Sequence, residues 1–584
     1  MADTAHLSGV DLSFGTMSKP RAETVPTPGG RFRIAVMGDF SGRSARGIVE
    51  TGADLANRRP IKFDIDTLEK VIAGFAATLI LPIGKKGAGI EVELSSIDDL
   101  HPDELFEKVE MFEALVSLKR RLASGGTSRG AITELREWGK EHGKKVSPPA
   151  RTSRGNAVPA DRKLSEFSKL IGGKAKRKAE ASSAEDLIAR LVGPYITAIP
   201  DADNAAMQEA VEESLSAAMR LVLHHPEFQS VEAQWRMLDL IARSIETDSK
   251  LDIVLYDISA EELAADLSAS EELSETGLFE LLVESTPDGR GPFSAICGLY
   301  TFEETPPHAE LLGRIAQVAA HVNAPFFAAI SPAFLETPKD DRHPLVAQAW
   351  DALRALPEAA HVALVSPRFL LRRPYGAKSD PIYEFEFEEF TVQEGLSGML
   401  WANPVVLVAI LLAKSFRKNG PSMGLGSVMS LGEIPYHYVN DSYGDQIALP
   451  CTERNLTASK TSTVIARGYI PVLAVKGRDD VRLGSFQSLA GETILGPWTG
   501  VPAPAPKPVP ELVAASGGDD DDMEESTSDD SDSDSDSGDD DADLAALLAG
   551  FDDDSGSDDD DSDDSSSEDD EEMDPELAAL LAGL

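Results

Sequence analysis

The chain has 584 residues, with 100 Asp and Glu against 54 Lys and Arg and a formal net charge of −46, a length that predicts about four domains at ~150 residues each. The balance excludes a general nucleic-acid binder, which needs a basic footprint. The longest apolar run, Val405 to Ala413, is about half of the ~20 residues a membrane-spanning helix needs, so it predicts a buried helix and no membrane insertion. The charge is uneven: 32 acidic residues and no basic ones fall between Glu511 and Leu584, so a mildly acidic body precedes a very acidic tail.

Residues 1–30 are polar, contain Pro and Gly, and predict a disordered N-terminus. They lack the basic stretch and apolar core of a secretion signal. With only Cys297 and Cys451 and no C-x-x-C, neither a disulfide framework nor a zinc ribbon is expected, and the predicted location is the cytoplasm. Phe32 to Gly38 reads as a buried strand ending at a glycine. Asp64 to Phe75 takes a helical spacing, with Leu68, Val71, Ile72 and Phe75 on one face. Ile90 to Leu94 alternates apolar and charged residues, as a half-exposed strand does. His101-Pro102-Asp103-Glu104 opens a helix, because an early Pro and acids in the first turn suit a helix N-terminus; its apolar face continues to about Leu122. Together these predict a small α+β unit over 31–122.

From Lys119 to Glu180 there are 17 basic and 6 acidic residues, and 123–183 holds Gly-Gly, Pro-Pro and scattered Ser. The prediction is a solvated basic linker with a short helix around Ile132 to Trp138. A larger unit, 184–500, begins with helices over Met207–Leu223 and Val231–Ile245. Strands are predicted at Leu251–Ile258, Phe293–Leu299, Phe326–Ala329 and His361–Val365, with helical patterns between them, notably Ala309–Val322. This alternation predicts a largely parallel α/β sheet, and the chain as a whole is expected to be α/β with mixed α+β character. Ile382 to Phe390 alternates strictly, Tyr383, Phe385 and Phe387 opposite Glu384, Glu386 and Glu388, and predicts a strand with one wet face. Short strands follow at Ile447–Leu449 and Tyr469–Val475.

Residues 501–584 are predicted to be a disordered Asp/Ser-rich tail, with too little apolar area to form a core. One pattern recurs in it. Asp541 to Phe551 carries Leu544, Leu547, Leu548 and Phe551, and Asp574 to Leu584 carries Leu577, Leu580, Leu581 and Leu584. Leu at i, i+3 and i+4 behind acidic residues makes a short amphipathic helix, too short to be stable alone. These eight residues are the candidate partner-binding residues, as motifs that fold on a partner's groove.

No catalytic, cofactor or metal constellation is found. Gly38-Asp-Phe-Ser-Gly-Arg-Ser follows a strand but is neither G-x-x-x-x-G-K-[ST] nor G-x-G-x-x-G, and reads as a structural turn. His224-His225-Pro226 reads as a helix end, since adjacent helical residues diverge by about 100°. Ser294, Ser331 and Ser366 lack the G-x-S-x-G context. Arg368, Arg372 and Arg373 near Asp380 and Glu384–Glu389 form either a partner interface or a solvated ion-pair face.

Several segments resemble one family. Arg33 to Arg43, Asn57-Arg-Arg-Pro-Ile61 and Ser96-Ile-Asp-Asp-Leu-His-Pro-Asp103 resemble the small subunit of the type VI secretion contractile sheath. Leu223-His-His-Pro-Glu-Phe-Gln229 with Val231 to Arg236, Ile315 to Ala320, Ala324 to Phe326, Pro367 to Arg372, Pro374-Tyr-Gly376, Leu400 to Asn403, Gly468 to Pro471 and Ser485 to Ser488 resemble its large subunit. The resemblance implies a non-enzymatic structural protein without cofactors. It would self-assemble around an inner tube, contact baseplate proteins, be disassembled by an AAA+ ATPase, and be held by strand exchange. Two departures stand out: the halves are fused through the basic stretch, and a Pro-Ala linker with the acidic tail stands where the family continues with a helical segment. The alternative they raise is a sheath-like adaptor, cap or regulator that recruits a partner through the tail.

Overall fold

The computed structural model describes residues 4–7, 10–19, 30–81, 89–141, 156–160, 162–167, 169, 184–197, 204–284, 293–391, 394–440, 446–475 and 478–499. Strands β1 (Thr4–Leu7) and β2 (Val10–Ser13) form an antiparallel hairpin. Leu12 and Phe14 are buried, and Arg314 Nε donates to Ser13 O at 3.0 Å. The first thirty residues are therefore not wholly the loose terminus their polarity predicts, because two apolar side chains pin the hairpin down.

Strand β3 (Phe32–Gly38) coincides with the predicted one, and all seven residues are buried. Then come helix α1 (Ala53–Ala56), the two-residue strand β4 (Ile61–Lys62) and α2 (Leu68–Phe75). The hairpin β5 (Ala77–Leu81) and β6 (Ile90–Leu94) buries alternate residues. The single helix expected over His101–Leu122 is two, α3 (Pro102–Lys108) and α4 (Glu110–Ala123), because Val109 takes extended backbone at φ −94°, ψ 114°.

The basic stretch departs from a solvated linker. Its helix α5 (Ser128–Glu141) is longer than predicted, buries Ala131 and Leu135, and packs on α4. The short α6 (Leu164–Phe167) buries Leu164 and Phe167. Apolar residues at helical spacing outweighed the local charge. Helices α7 (Ala184–Thr197), α8 (Asn204–Leu223) and α9 (Pro226–Ser244) follow, α7 lying against α5 and α8.

Next the chain alternates: β7 (Leu251–Asp257), α10 (Ala260–Ser268), α11 (Gly277–Phe279), β8 (Ala295–Phe302), α12 (Pro306–Val322), β9 (Phe326–Ile330), α13 (Pro344–Arg354) and β10 (Val362–Ser366). Short strands β11 (Phe369–Leu370) and β12 (Trp401–Ala402) pair, and α14 (Val405–Asn419) is the buried helix that the apolar run predicts. After β13 (Ser430–Leu431), the hairpin β14 (Tyr438–Asn440) and β15 (Gln446–Ala448) and helix α15 (Ala458–Ala466), the chain closes with β16 (Ile470–Ala474) and β17 (Val481–Leu483).

Nine of these strands form one sheet, ordered β13-β17-β16-β10-β9-β8-β3-β7-β4. The run β16 to β7 is parallel; β4, β13 and β17 are antiparallel to their neighbours. Strand β3 belongs to the 31–122 segment yet lies between β7 and β8 of the 184–500 segment, so these two segments interleave in one sheet. Helices cover both faces, as parallel sheets require. Along β3 the residues alternate accordingly: Ile34 and Val36 face one core with α9 and α14, while Ala35 and Met37 face the other with α10 and α12.

The predicted strand Ile382–Phe390 is not a strand. The alternation holds only from Phe385 to Glu389, where Phe387 and Glu389 are buried and Glu386 and Glu388 exposed; Tyr383, of the same face, is 84 % exposed, and the inward face packs on helices. The Tyr383 and Glu384 amides donate to the Asp103 carboxylate, and Arg220 donates to Glu388 O. The tail motifs with Leu544, Leu547, Leu548, Phe551, Leu577, Leu580, Leu581 and Leu584 lie outside the described residues.

Candidate assembly site

Two buried ionic clusters clamp the chain's segments together. The first sits at the carboxyl ends of β3 and β7. Asp39 accepts from the amides of Arg43 (2.6 Å) and Ser44 (2.9 Å), which folds the Gly38–Ser44 segment into a tight turn. Asp257 accepts from the Phe40 amide (2.8 Å) and the Ser41 hydroxyl (2.6 Å). Arg43 and Arg58 converge on Glu262 at 2.8 and 3.0 Å and share Glu50 at 2.7 Å each. Glu262 also closes a capping box with Ser259 at the start of α10. Burial pushes the Asp39 carboxyl up to about 7, helped by the nearby Asp257 charge. Burial acts on Glu262 in the same direction, but Arg43 and Arg58 outweigh it and hold its carboxyl below the usual range. Arg43 is thus consumed by carboxylates, and the turn is structural, not a phosphate cradle. Trp235 Nε1 of α9 donates to Phe40 O at 2.8 Å and closes the turn from the other side.

The second cluster joins α9, the 367–376 segment and the extended 381–391 segment. Arg372 bridges Glu232 (2.6 Å) and Glu389 (2.6 Å), and its guanidinium lies 4.2 Å from the centre of the Tyr375 ring. Arg236 donates to Glu232 (2.8 Å) and to the Tyr375 hydroxyl (2.7 Å), while the Tyr375 amide donates to Glu389 (2.7 Å). His224 approaches Glu389 (3.5 Å) and Glu394 (3.1 Å). Against burial, those two carboxylates raise its imidazole to about 8. Against burial too, Arg372 and His224 hold Glu389 down to about 2. His225 is the expected helix end: its ring accepts from the Glu227 amide.

The Arg368–Glu389 group therefore divides. Arg372 and Glu389 pair in the interior, Arg368 pairs with Glu453 at 2.5 Å, and Arg373, Asp380, Glu384 and Glu386 face solvent. Sequence reasoning missed Arg58, Glu232, Asp257 and Glu262. Ser259-x-x-Glu262 was legible as a capping box; nothing local marks Glu232 as buried.

Assembly needs exposed features. The nine-stranded sheet ends on β4 and β13, edges of only two residues each. The β5–β6 hairpin has two outer edges that pair with no other strand among the described residues. Tyr383 and Tyr438 stand 84 % and 54 % exposed. A cleft of about 430 Å³, lined by residues including Gln229, Met237, Ser331, Arg368, Trp401 and Asn403, opens at the carboxyl ends of β8 and β9. Among the described residues no group of three or more His, Cys, Asp or Glu is placed to hold a metal, and no helix is long and apolar enough to cross a membrane.

Comparison with known proteins adds three findings. Residues 205–490 match the VipB model, described as the EvpB/VC_A0108 tail sheath N-terminal domain. Residues 11–137 match the model described as type VI secretion system, VipA, VC_A0107 or Hcp2. The chain is also 30 % identical over 352 residues, 56 % of its own length and 70 % of the relative's, to the type VI secretion system sheath protein TssC1 of Pseudomonas aeruginosa.

Proposed function

Because the chain belongs to the family of type VI secretion system sheath proteins and is a structural component of such a sheath, we propose that it supplies both sheath halves in one polypeptide. In this reading it polymerises in the cytoplasm around an inner tube, contacts baseplate proteins, contracts to drive effector delivery, and is disassembled by an AAA+ ATPase. It performs no catalysis. The observation that carries the reading is the shared sheet: the VipA-like part inserts β3 between β7 and β8 of the VipB-like part, so each polypeptide brings one complete pair. Fusion fixes the one-to-one ratio and raises the effective concentration of each half for the other. The outer edges of the β5–β6 hairpin, unpaired among the described residues, are suited to strand addition between copies. Electron microscopy of the purified chain tests this. Tubular polymers are expected; a strictly monomeric chain that forms no complex with other secretion-apparatus proteins overturns it.

One observation favours a second reading, an adaptor, cap or regulator: the repeated Leu motif in the tail. Here Leu544, Leu547, Leu548, Phe551, Leu577, Leu580, Leu581 and Leu584 dock on a partner's apolar groove. Deleting 511–584 separates the two. Tubes that persist while recruitment fails support the sheath reading with a tail-borne docking function; tubes that never form with or without the tail support the adaptor.

A further inference from the structure

We propose that the Asp-rich stretch 519–543 of the chain's own tail docks on a cationic rim at the base of the nine-stranded sheet, beside the point where the tail leaves the body. The last described residues place that point. Trp498 packs near Phe32 (6.4 Å between ring centres), which stacks on Phe416 of α14 at 5.0 Å. Arg31, Phe416, Pro421 and Trp498 line one small hollow. The exit therefore lies at the amino ends of the parallel strands, against the last turn of α14.

Cations surround it. Arg31 precedes β3, and Lys250 precedes β7, its carbonyl accepting from the Phe32 amide at 2.6 Å. Lys414, Arg417 and Lys418 share one side of α14 at i, i+3 and i+4. Among the described residues, three carboxylates lie on the α14 side, each with a partner: Glu246 and Asp248 pair with Arg417 at 3.1 and 2.8 Å, and Asp252 with Arg33 at 3.4 Å; Glu358 and Glu492 stand two and three residues from the Leu495–Ala360 backbone bond. Arg31, Lys414 and Lys418 have no ion-pair partner among the described residues, and Lys250 and Lys418 are exposed. Among the described residues the α14 side of the exit thus holds more cations than carboxylates, and the tail is the acidic block attached to it.

Reach is sufficient. Nineteen residues lie between Thr499 and Asp519, Pro-rich as far as Pro510, and at about 3.1 Å per residue when extended they reach up to about 60 Å. Tethering holds the Asp-rich stretch near the rim at an effective concentration of order millimolar, so several individually weak surface pairs act together. The competing destination is the basic 119–180 stretch, which carries more charge. The rim differs in being adjacent to the exit.

Its consequence rests on the sheath reading: a rim covered by its own tail is closed to the carboxylates of a neighbouring copy. The test does not depend on that reading. Dilute full-length chain is treated with a carbodiimide, which joins contacting carboxylates to lysines without a spacer, and the joined peptides are mapped. Coupling of 519–543 to Lys250, Lys414 or Lys418 within one molecule is expected. It should fall at least ten-fold in 0.5 M NaCl, where screening shortens to about 4 Å. Coupling to Lys144, Lys145 or Lys174–Lys178 instead, coupling only between isotopically distinct molecules, or none at all overturns the proposal. The wild-type map needs no variant to fold.

Discussion

Arg372→Ala should be the most damaging single change to the body outside its apolar core. Arg372 bridges two carboxylates that are almost fully buried, Glu232 and Glu389, and covers the face of Tyr375. Removing it leaves Glu232 with Arg236 and Glu389 with His224, each carboxylate losing its closest cation. Breaking a buried pair from one side costs about 3–5 kcal/mol, because the stranded charge stays buried. For a cooperative unit of ~400 residues with an unfolding entropy of ~2.1 cal/mol/K per residue, 4 kcal/mol lowers Tm by about 5 °C.

The pH dependence distinguishes this cause from lost packing. Glu389 is held down to about 2 in the folded wild type, below its ordinary 4.5. Its contribution is present above pH 4.5 and is lost only as pH falls through 2. Without Arg372, burial drives the same carboxyl upward, and it can shed its charge by taking a proton. The gap between wild type and variant should therefore shrink by at least ~1 kcal/mol between pH 7.5 and 5.0. Adding Glu389→Gln to the variant should restore about 1–2 kcal/mol. Urea unfolding of the three proteins at both pH values measures all of this. A loss under ~1 kcal/mol at pH 7.5, or a loss independent of pH and additive with Glu389→Gln, refutes the reasoning.

Glu262→Gln should cost about 3 kcal/mol by leaving Arg43 and Arg58 with the half-exposed Glu50 as their one ion-pair carboxylate among the described residues; the urea midpoint measures it, and faster tryptic cleavage at Arg43, Arg46 or Arg58 locates it. His224 has its imidazole raised from 6.5 to about 8 in the folded chain, so its stabilisation is complete below pH 6.5 and disappears as pH rises through 8. Wild type should lose about 2 kcal/mol from this group between pH 6 and 9, and His224→Gln should flatten that slope in unfolding curves. Gly313→Ala places a Cβ into the Phe14 ring; hydrogen exchange in 4–16 should rise strongly while Tm of the body moves by less than about 2 °C.

What the sequence made legible follows local physics. Phe32–Gly38 was readable residue for residue, because a buried parallel strand is a near-continuous apolar run, here broken only by Arg33 and closed by a glycine. The apolar run at Val405 likewise read as a buried helix. Ile382–Phe390 misled because alternation reports only that one face is buried and says nothing about what buries it; helices did. Charge misled in the basic stretch, where Ala131, Leu135, Leu164 and Phe167 are too sparse to stand out among lysines and arginines. The buried clusters were half legible: the Arg372 and Glu389 types were noticed, but their pairing with Glu232, more than a hundred positions away, is a property of the fold alone. The interleaving of β3 was illegible for the same reason, since strand order is decided by contacts between distant segments.

That interleaving makes a prediction about the fusion itself. Strand β3 must wait for β7 and β8, which arrive more than 200 residues later. Loop closure grows only as the logarithm of length, so lengthening a connection of ~210 residues by ~40 costs about 0.2 kcal/mol. The length of the basic stretch is thus nearly neutral, and its covalent continuity matters mainly while the sheet forms. Once formed, β3 is held by a seven-residue ladder to β7 and a four-residue ladder to β8, by the Arg43–Arg58–Glu262 cluster and by Trp235 on Phe40. A protease site inserted between residues 142 and 155 and cut after folding should therefore leave two fragments that comigrate in size exclusion without denaturant, with Tm lowered by only a few degrees. Cutting before folding, by expressing the fragments separately and mixing them, should slow recovery of the same complex and make its rate depend on concentration. If the cut chain falls apart in native buffer, the shared sheet is not what joins the two parts.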